Sequence, residues 1–152
     1  MTDNLDLTQL TAADIQNAYN HDMRAFSMSK LDVRYAQFIR KKYQYGTEVY
    51  LYLLVTYVKA DNKYRLYQAR TKILLGSLDV DLSGGRLMDF DNLPDAVVYA
   101  EYQDRFFSMT WAQLEDIFQR APRMLKFVIA ADPEQHAQLE FLMNQAEARD
   151  GQ

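Results

Sequence analysis

Apolar positions alternate with mixed ones through two neighbouring runs, and the alternation predicts the element that the rest of the chain is arranged around. From Glu48 onward the odd positions Val49, Leu51, Leu53, Val55 and Tyr57 are apolar, while Glu48, Tyr50, Tyr52, Leu54 and Thr56 are mixed. A period of two belongs to a strand with one core face. The second run keeps the same parity, with Tyr67, Ala69, Thr71, Ile73 and Leu75 set against Gln68, Arg70 and Lys72. A hairpin over 48–75 follows, joined at Asp61-Asn62-Lys63. A two-residue turn at Asp61-Asn62 would put Val55 opposite Gln68 and Leu53 opposite Arg70, mixing core with solvent. A three-residue connection instead pairs Tyr57 with Tyr67, Val55 with Ala69, Leu53 with Thr71 and Leu51 with Ile73, with Asn62 or Lys63 left-handed. The outer face then carries Tyr50, Tyr52, Thr56, Gln68, Arg70 and Lys72.

Helical spacing precedes the hairpin. Thr11 and Asp14 form a capping box ahead of Ile15, Ala18, Tyr19, Met23 and Phe26, and Ser29 with Asp32 repeats the arrangement. A second helix, with Leu31, Tyr35, Phe38 and Ile39 inward, is expected to run to Tyr45 and stop at Gly46; one long helix kinked near Ser27 is the alternative. After the hairpin, Leu78, Val80 and Leu82 alternate with Asp79 and Asp81, Ser83-Gly84-Gly85 makes a turn, and Arg86 to Phe90 forms a short further strand. Ala96 to Tyr102 is rich in β-formers and could pair with Arg105 to Met109 across Gln103-Asp104; a helix over 96–103 is the competing reading.

Thr110 with Gln113 caps another helix, whose Trp111, Leu114, Ile117, Phe118 and Ala121 share a face before Pro122 ends it. Met124 to Ala130 is apolar except for Lys126, which suits an interior strand. Asp132-Pro133 with Gln135 starts the last helix, along which Leu139, Leu142, Met143 and Ala146 form an apolar stripe. The expected fold is α+β, one domain over 1–148 with a frayed tail at 149–152. It has a predominantly antiparallel sheet of four to six strands centred on the 48–75 hairpin. Two N-terminal helices and two C-terminal helices flanking an interior strand complete the order ααβββ(ββ)αβα.

Composition narrows the chemistry. The chain of 152 residues has no cysteine, which excludes disulfides, zinc-thiolate sites and thiol nucleophiles and points to an intracellular protein. The acidic stretch Met1 to Asp6 lacks the basic and apolar parts of a secretory signal, and no apolar run approaches the roughly 18 residues that span a bilayer. A soluble cytoplasmic protein with no membrane partner is the expectation. The net charge of −4 hides a segregation: residues 24–72 carry eleven basic and three acidic groups, residues 73–152 six basic and fourteen acidic. Such asymmetry marks either a polyanion site or mutual attraction between parts of one fold.

Histidines 21 and 136 stand alone, without the spacing that recruits a second metal ligand, and there is no P-loop, GxSxG or GxGxxG. Asp79 and Asp81 would place two carboxylates on one strand face, and Asp89 with Asp91 could do the same, as a hard cation such as Mg²⁺ requires. The competing reading is a strand with one wet face.

Pro94-Asp95, followed by Glu101-Tyr102-Gln103, a helix and a strand, resembles the PD-(D/E)xK nuclease pattern and its αβββαβ order over about Gly46 to Ala130. The resemblance implies that Asp95 or Asp81, with Glu101, would hold Mg²⁺. Gln103 stands where that pattern has a lysine, and an uncharged amide activates water poorly.

The surface reading rests on Tyr50, Tyr52, Gln68, Arg70 and Lys72 of the hairpin with Arg40, Lys41 and Lys42 before it. Aromatic rings and cations in this mixture suit a protein interface or self-association. They would also suit single-stranded nucleic acid, bases stacking on the rings and phosphates meeting the cations. Cations in the last turn of a helix are equally favoured by its dipole. The leading expectation is a non-catalytic binding module without a cofactor that uses the outer hairpin face, the alternatives being a metal-dependent phosphodiester enzyme and a nucleic-acid binder.

Overall fold

Capping chemistry sets the first element. Thr11 Oγ1 accepts from the Asp14 amide at 3.1 Å, and Asp14 returns a carboxylate oxygen to the Thr11 amide at 3.0 Å, opening helix α1 (Ala12–Met23). Strands β1 (Val33–Gln44), β2 (Thr47–Val58), β3 (Lys63–Leu74), β4 (Ser77–Asp81) and β5 (Arg86–Phe90) follow, then α2 (Leu93–Tyr102), α3 (Trp111–Arg120), a 3-10 helix (Pro122–Phe127) and α4 (Pro133–Asp150). This computed structural model describes residues 5–23, 30–82, 86–103, 105–107 and 109–150. The expected kink near Ser27, the cap at Ser29 and the turn at Ser83-Gly84-Gly85 lie outside them. The chain divides into two compact units, Met1–Ala96 and Val97–Gln152, with the boundary inside α2.

The first unit is built on an antiparallel five-stranded sheet in the order β1-β2-β3-β4, with β5 also pairing β3. β4 lies along Arg70 to Leu74 and β5 along Tyr64 to Tyr67, so the two share one side of β3. The α+β class and the antiparallel sheet centred on the 48–75 hairpin agree with the sequence reading.

The second N-terminal helix does not form: residues 33–44 are a strand. Register shifts between Val33 and Tyr35 and between Phe38 and Arg40 insert an extra residue at each place. Val33, Ala36 and Phe38 therefore meet the same β2 face, opposite Thr56, Leu54 and Tyr52.

The hairpin register also differs from the expected one. Val58 pairs with Lys63 across a four-residue connection, so Val55 faces Leu66, Leu53 faces Gln68 and Leu51 faces Arg70. Asn62 is left-handed as anticipated, at φ 50. The parity argument failed because β2 is buried along both faces: Val49, Leu51, Leu53 and Val55 on one, Tyr52 and Leu54 on the other. When both sides of a strand are apolar, alternation no longer selects a register.

On the even face of β2, Tyr52 and Leu54 pack with Leu7, Leu10, Ile15, Val33, Ala69 and Val80. Helix α1 also fastens the entry to β1: the Asn20 amide exchanges hydrogen bonds with the Leu31 backbone at 2.8 and 3.0 Å, and Gln16 Oε1 accepts from the Val33 amide at 2.7 Å.

In the second unit the Thr110–Gln113 capping box opens α3, with Leu114 and Ile117 buried. The expected interior strand over 124–130 is instead the 3-10 helix begun by Pro122, and only the isolated parallel bridge Phe107↔Ile129 has strand geometry. Residues 96–102 are helical, the second of the two readings. Asp132 caps α4 by accepting from the Gln135 amide at 2.8 Å, and Gln135 Nε2 donates to the Met109 carbonyl at 2.7 Å. Of the tail expected at 149–152, Arg149 lies in α4, which runs to Asp150, and donates to the Phe118 carbonyl at 3.0 Å while lying over the Phe118 ring; residues 151–152 lie outside the described ones. Among the described residues, no helix is long and apolar enough to cross a membrane.

Candidate functional site

Two tight turns close neighbouring hairpins at one end of the sheet. β1 turns into β2 through Tyr45-Gly46 between the pair Gln44↔Thr47, and β3 turns into β4 through Leu75-Gly76 between Leu74↔Ser77. All four turn residues have positive φ: 53 and 77 in the first turn, 52 and 81 in the second. That is the signature of a type I′ turn, whose first position ordinarily holds Asn, Asp or Gly. Here it holds Tyr45 and Leu75, each 97% exposed. Because β2 and β3 are adjacent, the two tips stand side by side, with Tyr43, Ile73 and Leu74 also exposed around them. The opposite end of β2 and β3 carries the four-residue connection, where the left-handed position is an ordinary Asn62.

Behind the tips, cross-strand neighbours form rows on the odd face of β2. One row reads Arg40, Leu51, Arg70 and Asp81 from β1 to β4. In the next, Lys42 pairs with Val49, and Lys72 pairs with Asp79. Arg70 donates to Asp81 at 2.8 Å and to Gln44 Oε1 at 3.0 Å. Between the rows and the first turn lies a cleft of about 230 Å³ with Val49, Tyr45, Gln44, Lys72 and Asp79 in its walls.

On the even face at the same end, Glu48 accepts from the Tyr43 hydroxyl at 2.8 Å and the Tyr50 hydroxyl at 3.0 Å, with Lys41 Nζ at 3.8 Å. The Tyr43 bond, then the Tyr50 bond and Lys41, hold the Glu48 carboxyl below its usual range, and Glu48 in turn raises both phenols.

The expected single face of tyrosines and cations is therefore not assembled. Tyr50 lies opposite Thr71 and Tyr52 opposite Ala69, whereas Gln68, Arg70 and Lys72 point to the other side of the sheet with Leu53, Leu51 and Val49. Tyr52 is 1% exposed, its hydroxyl donating to the Leu7 carbonyl at 2.6 Å and accepting from the Leu10 amide at 2.9 Å. Arg40 and Lys42 share the face of Arg70, and Lys41 lies on the other.

The acidic candidates are distributed, and Asp81, Asp89, Asp91 and Glu101 are paired with cations. Asp79 and Asp81 do share a face, but it is the face of Lys72 and Arg70. Asp89 is bound by Arg65 at 2.8 and 3.0 Å and by Arg86 at 2.8 Å, and Asp91 pairs with Lys63. Arg65 above all, with Arg86, holds the Asp89 carboxyl below its ordinary range. Asp95 is buried in the first turn of α2, and Glu101 pairs with Arg120. Those two lie on one helix, where six residues separate them by about 9 Å along the axis and about 120° around it. Gln103 follows the end of that helix instead of sitting on a strand. Asp95 and Glu101 thus do not form the donor pair that the nuclease resemblance implies for Mg²⁺, and among the described residues no three His, Asp or Glu side chains come together as a metal site. His136 pairs with Glu140 at 3.1 Å.

The sequence reading missed the turn pair Tyr45-Gly46 and Leu75-Gly76, and with it the tip residue Leu75. The available signal was an X-Gly dipeptide between two strand-like runs, the commonest mark of a two-residue hairpin turn. Compared with family models, curated proteins and solved structures, the chain matches none.

Proposed function

We propose that the chain is a non-catalytic docking module whose contact surface is the turn end of its sheet, and that the partner is a protein. The observation that carries this reading is Tyr45 and Leu75, left-handed and 97% exposed on adjacent tips. An L-residue in that conformation costs roughly 1–2 kcal/mol, and an exposed Tyr or Leu forgoes the roughly 1.5–3 kcal/mol that a large apolar side chain gains on burial. Neither choice helps the isolated chain, whereas an incoming surface would be met by both side chains. The cleft behind them, at about 230 Å³, is below the roughly 300–1,000 Å³ of small-molecule sites and suits one anchoring side chain of a partner. Its walls carry both signs of charge, which favours a polypeptide over a polyanion.

The test is the double variant Tyr45→Asn with Leu75→Asn. Asparagine fits both turns, so the melting temperature is expected to hold or rise, while higher-mass adducts formed by the wild type with a bifunctional crosslinker in extract disappear. A fall of many degrees in the melting temperature would make the two residues structural and refute the reading.

A further inference from the structure

Charge runs in one direction across the turn end. On the odd face, β1 presents Arg40 and Lys42, and β4 presents Asp79 and Asp81. Arg70 is already committed to Asp81 and Gln44, whereas no ion pair joins Lys42 or Asp79 to any other described residue. The cleft is lined by the buried Val49 and the exposed Tyr45, and the neighbouring hairpin tip carries Leu75. β3 adds Arg70 and Lys72 to this face beside the acids, but β1 presents cations alone and β4 acids alone, so the face turned through 180° onto its own copy sets β1 cations against β4 acids at both ends. Isologous pairing requires this property: what residue i meets in the partner, the partner's residue i must meet in return.

We infer that the docking partner is a second copy of this chain. The inference rests on reading the turn end as a contact surface. Leu75 of each copy seats against Val49 and Tyr45 of the other, which brings the β3–β4 hairpin of one against the β1–β2 hairpin of its partner. Asp79 then faces Lys42 across the interface, twice. Two turns and the rows next to them are a small surface compared with the roughly 1,200–2,000 Å² buried in stable complexes. The association is therefore weak, in the micromolar to millimolar range.

Sedimentation velocity of the full chain over a concentration series tests it with two single variants. Lys42→Glu makes both sides of the surface acidic, and Asp79→Lys makes both sides basic. Each alone is expected to weaken association by at least about tenfold, because like charges then face each other twice. Mixed one to one, they restore opposite charges at both contacts and should associate to within a few-fold of the wild type. Thermal melts identify any variant that fails to fold, and Leu75→Asn then serves as a charge-neutral second disruption. A wild type that stays monomeric into the millimolar range, or a mixture that associates no better than its parents, overturns the inference. So does a chain that stays monomeric while pelleting with phosphatidylserine vesicles, or one whose turn end crosslinks only to a different protein. The last outcome leaves the docking reading standing and removes only the second copy.

Discussion

The Tyr52 hydroxyl joins two backbone groups more than forty residues away, donating to Leu7 at 2.6 Å and accepting from Leu10 at 2.9 Å. Both partners are buried, so removing the hydroxyl strands a carbonyl and an amide that water cannot reach. Tyr52→Phe should cost about 1–3 kcal/mol, read as a lower midpoint in urea at unchanged slope, whereas a loss below about 0.5 kcal/mol would mean the N-terminal segment does not depend on this bridge. Asp89 gives a pH-dependent counterpart. Its folded carboxyl is held below the unfolded value of about 3.9, chiefly by Arg65. The contribution is therefore complete above that value and is lost as pH falls through the folded pKa. Asp89→Asn should lower stability at neutral pH and flatten the acid limb below about pH 4; an unchanged acid limb would exclude this carboxyl as a source of acid sensitivity. Single residues of this kind were only partly legible in the sequence. Thr11, Thr110 and Asp132 announced their caps because a cap is a local pattern, but the partners of Tyr52 and Asp89 are set by packing.

Strand β1 shows where sequence reading at the scale of an element breaks down. A strand with regular pleating keeps a period of two, and the bulges near Arg34 and Ile39 convert it locally to three. Core-facing residues then fall at 33, 36 and 38, whereas the helical reading placed Leu31, Tyr35, Phe38 and Ile39 inward, of which Tyr35 lies on the opposite face across from Val55; Gly46, read as a helix stop, is the second residue of a turn. The same element contributes to the proposed surface, since the second bulge, between Phe38 and Arg40, puts Arg40 and Lys42 on the face of Val49 and Leu51, opposite to that of Ala36 and Phe38. The turns impose a further constraint. Gly46 and Gly76 have φ of 77 and 81, and a methyl group at either would meet nothing within 4 Å. Any cost of Gly46→Ala or Gly76→Ala is therefore conformational, and each should destabilise by roughly 1–2 kcal/mol in chemical denaturation. No loss at either position would show that the turn relaxes to another type and that Tyr45 or Leu75 need not be left-handed.

At the scale of the whole molecule, the segregation of charge along the chain has a structural outcome. Part of it is resolved within the fold, where cations of the basic segment meet acids of the acidic one: Arg65 meets Asp89, Lys63 meets Asp91 and Arg70 meets Asp81. Arg40 and Lys42 and the acidic pair at 79 and 81 end at opposite edges of one face of the sheet, which composition could not reveal because it depends on strand order. The α+β class and most element positions were readable from periodicity and caps, while the candidate site was not, because it arises from two turns separated by about thirty residues. The most direct test of the turn end as a contact surface is a photoreactive amino acid placed in turn at positions 45, 75 and 59 of the full chain in cells. Strong crosslinks from 45 and 75 and none from 59, an exposed position at the opposite end of the sheet, are the predicted result. Equal yields from all three positions, or crosslinks from 59 alone, would contradict it.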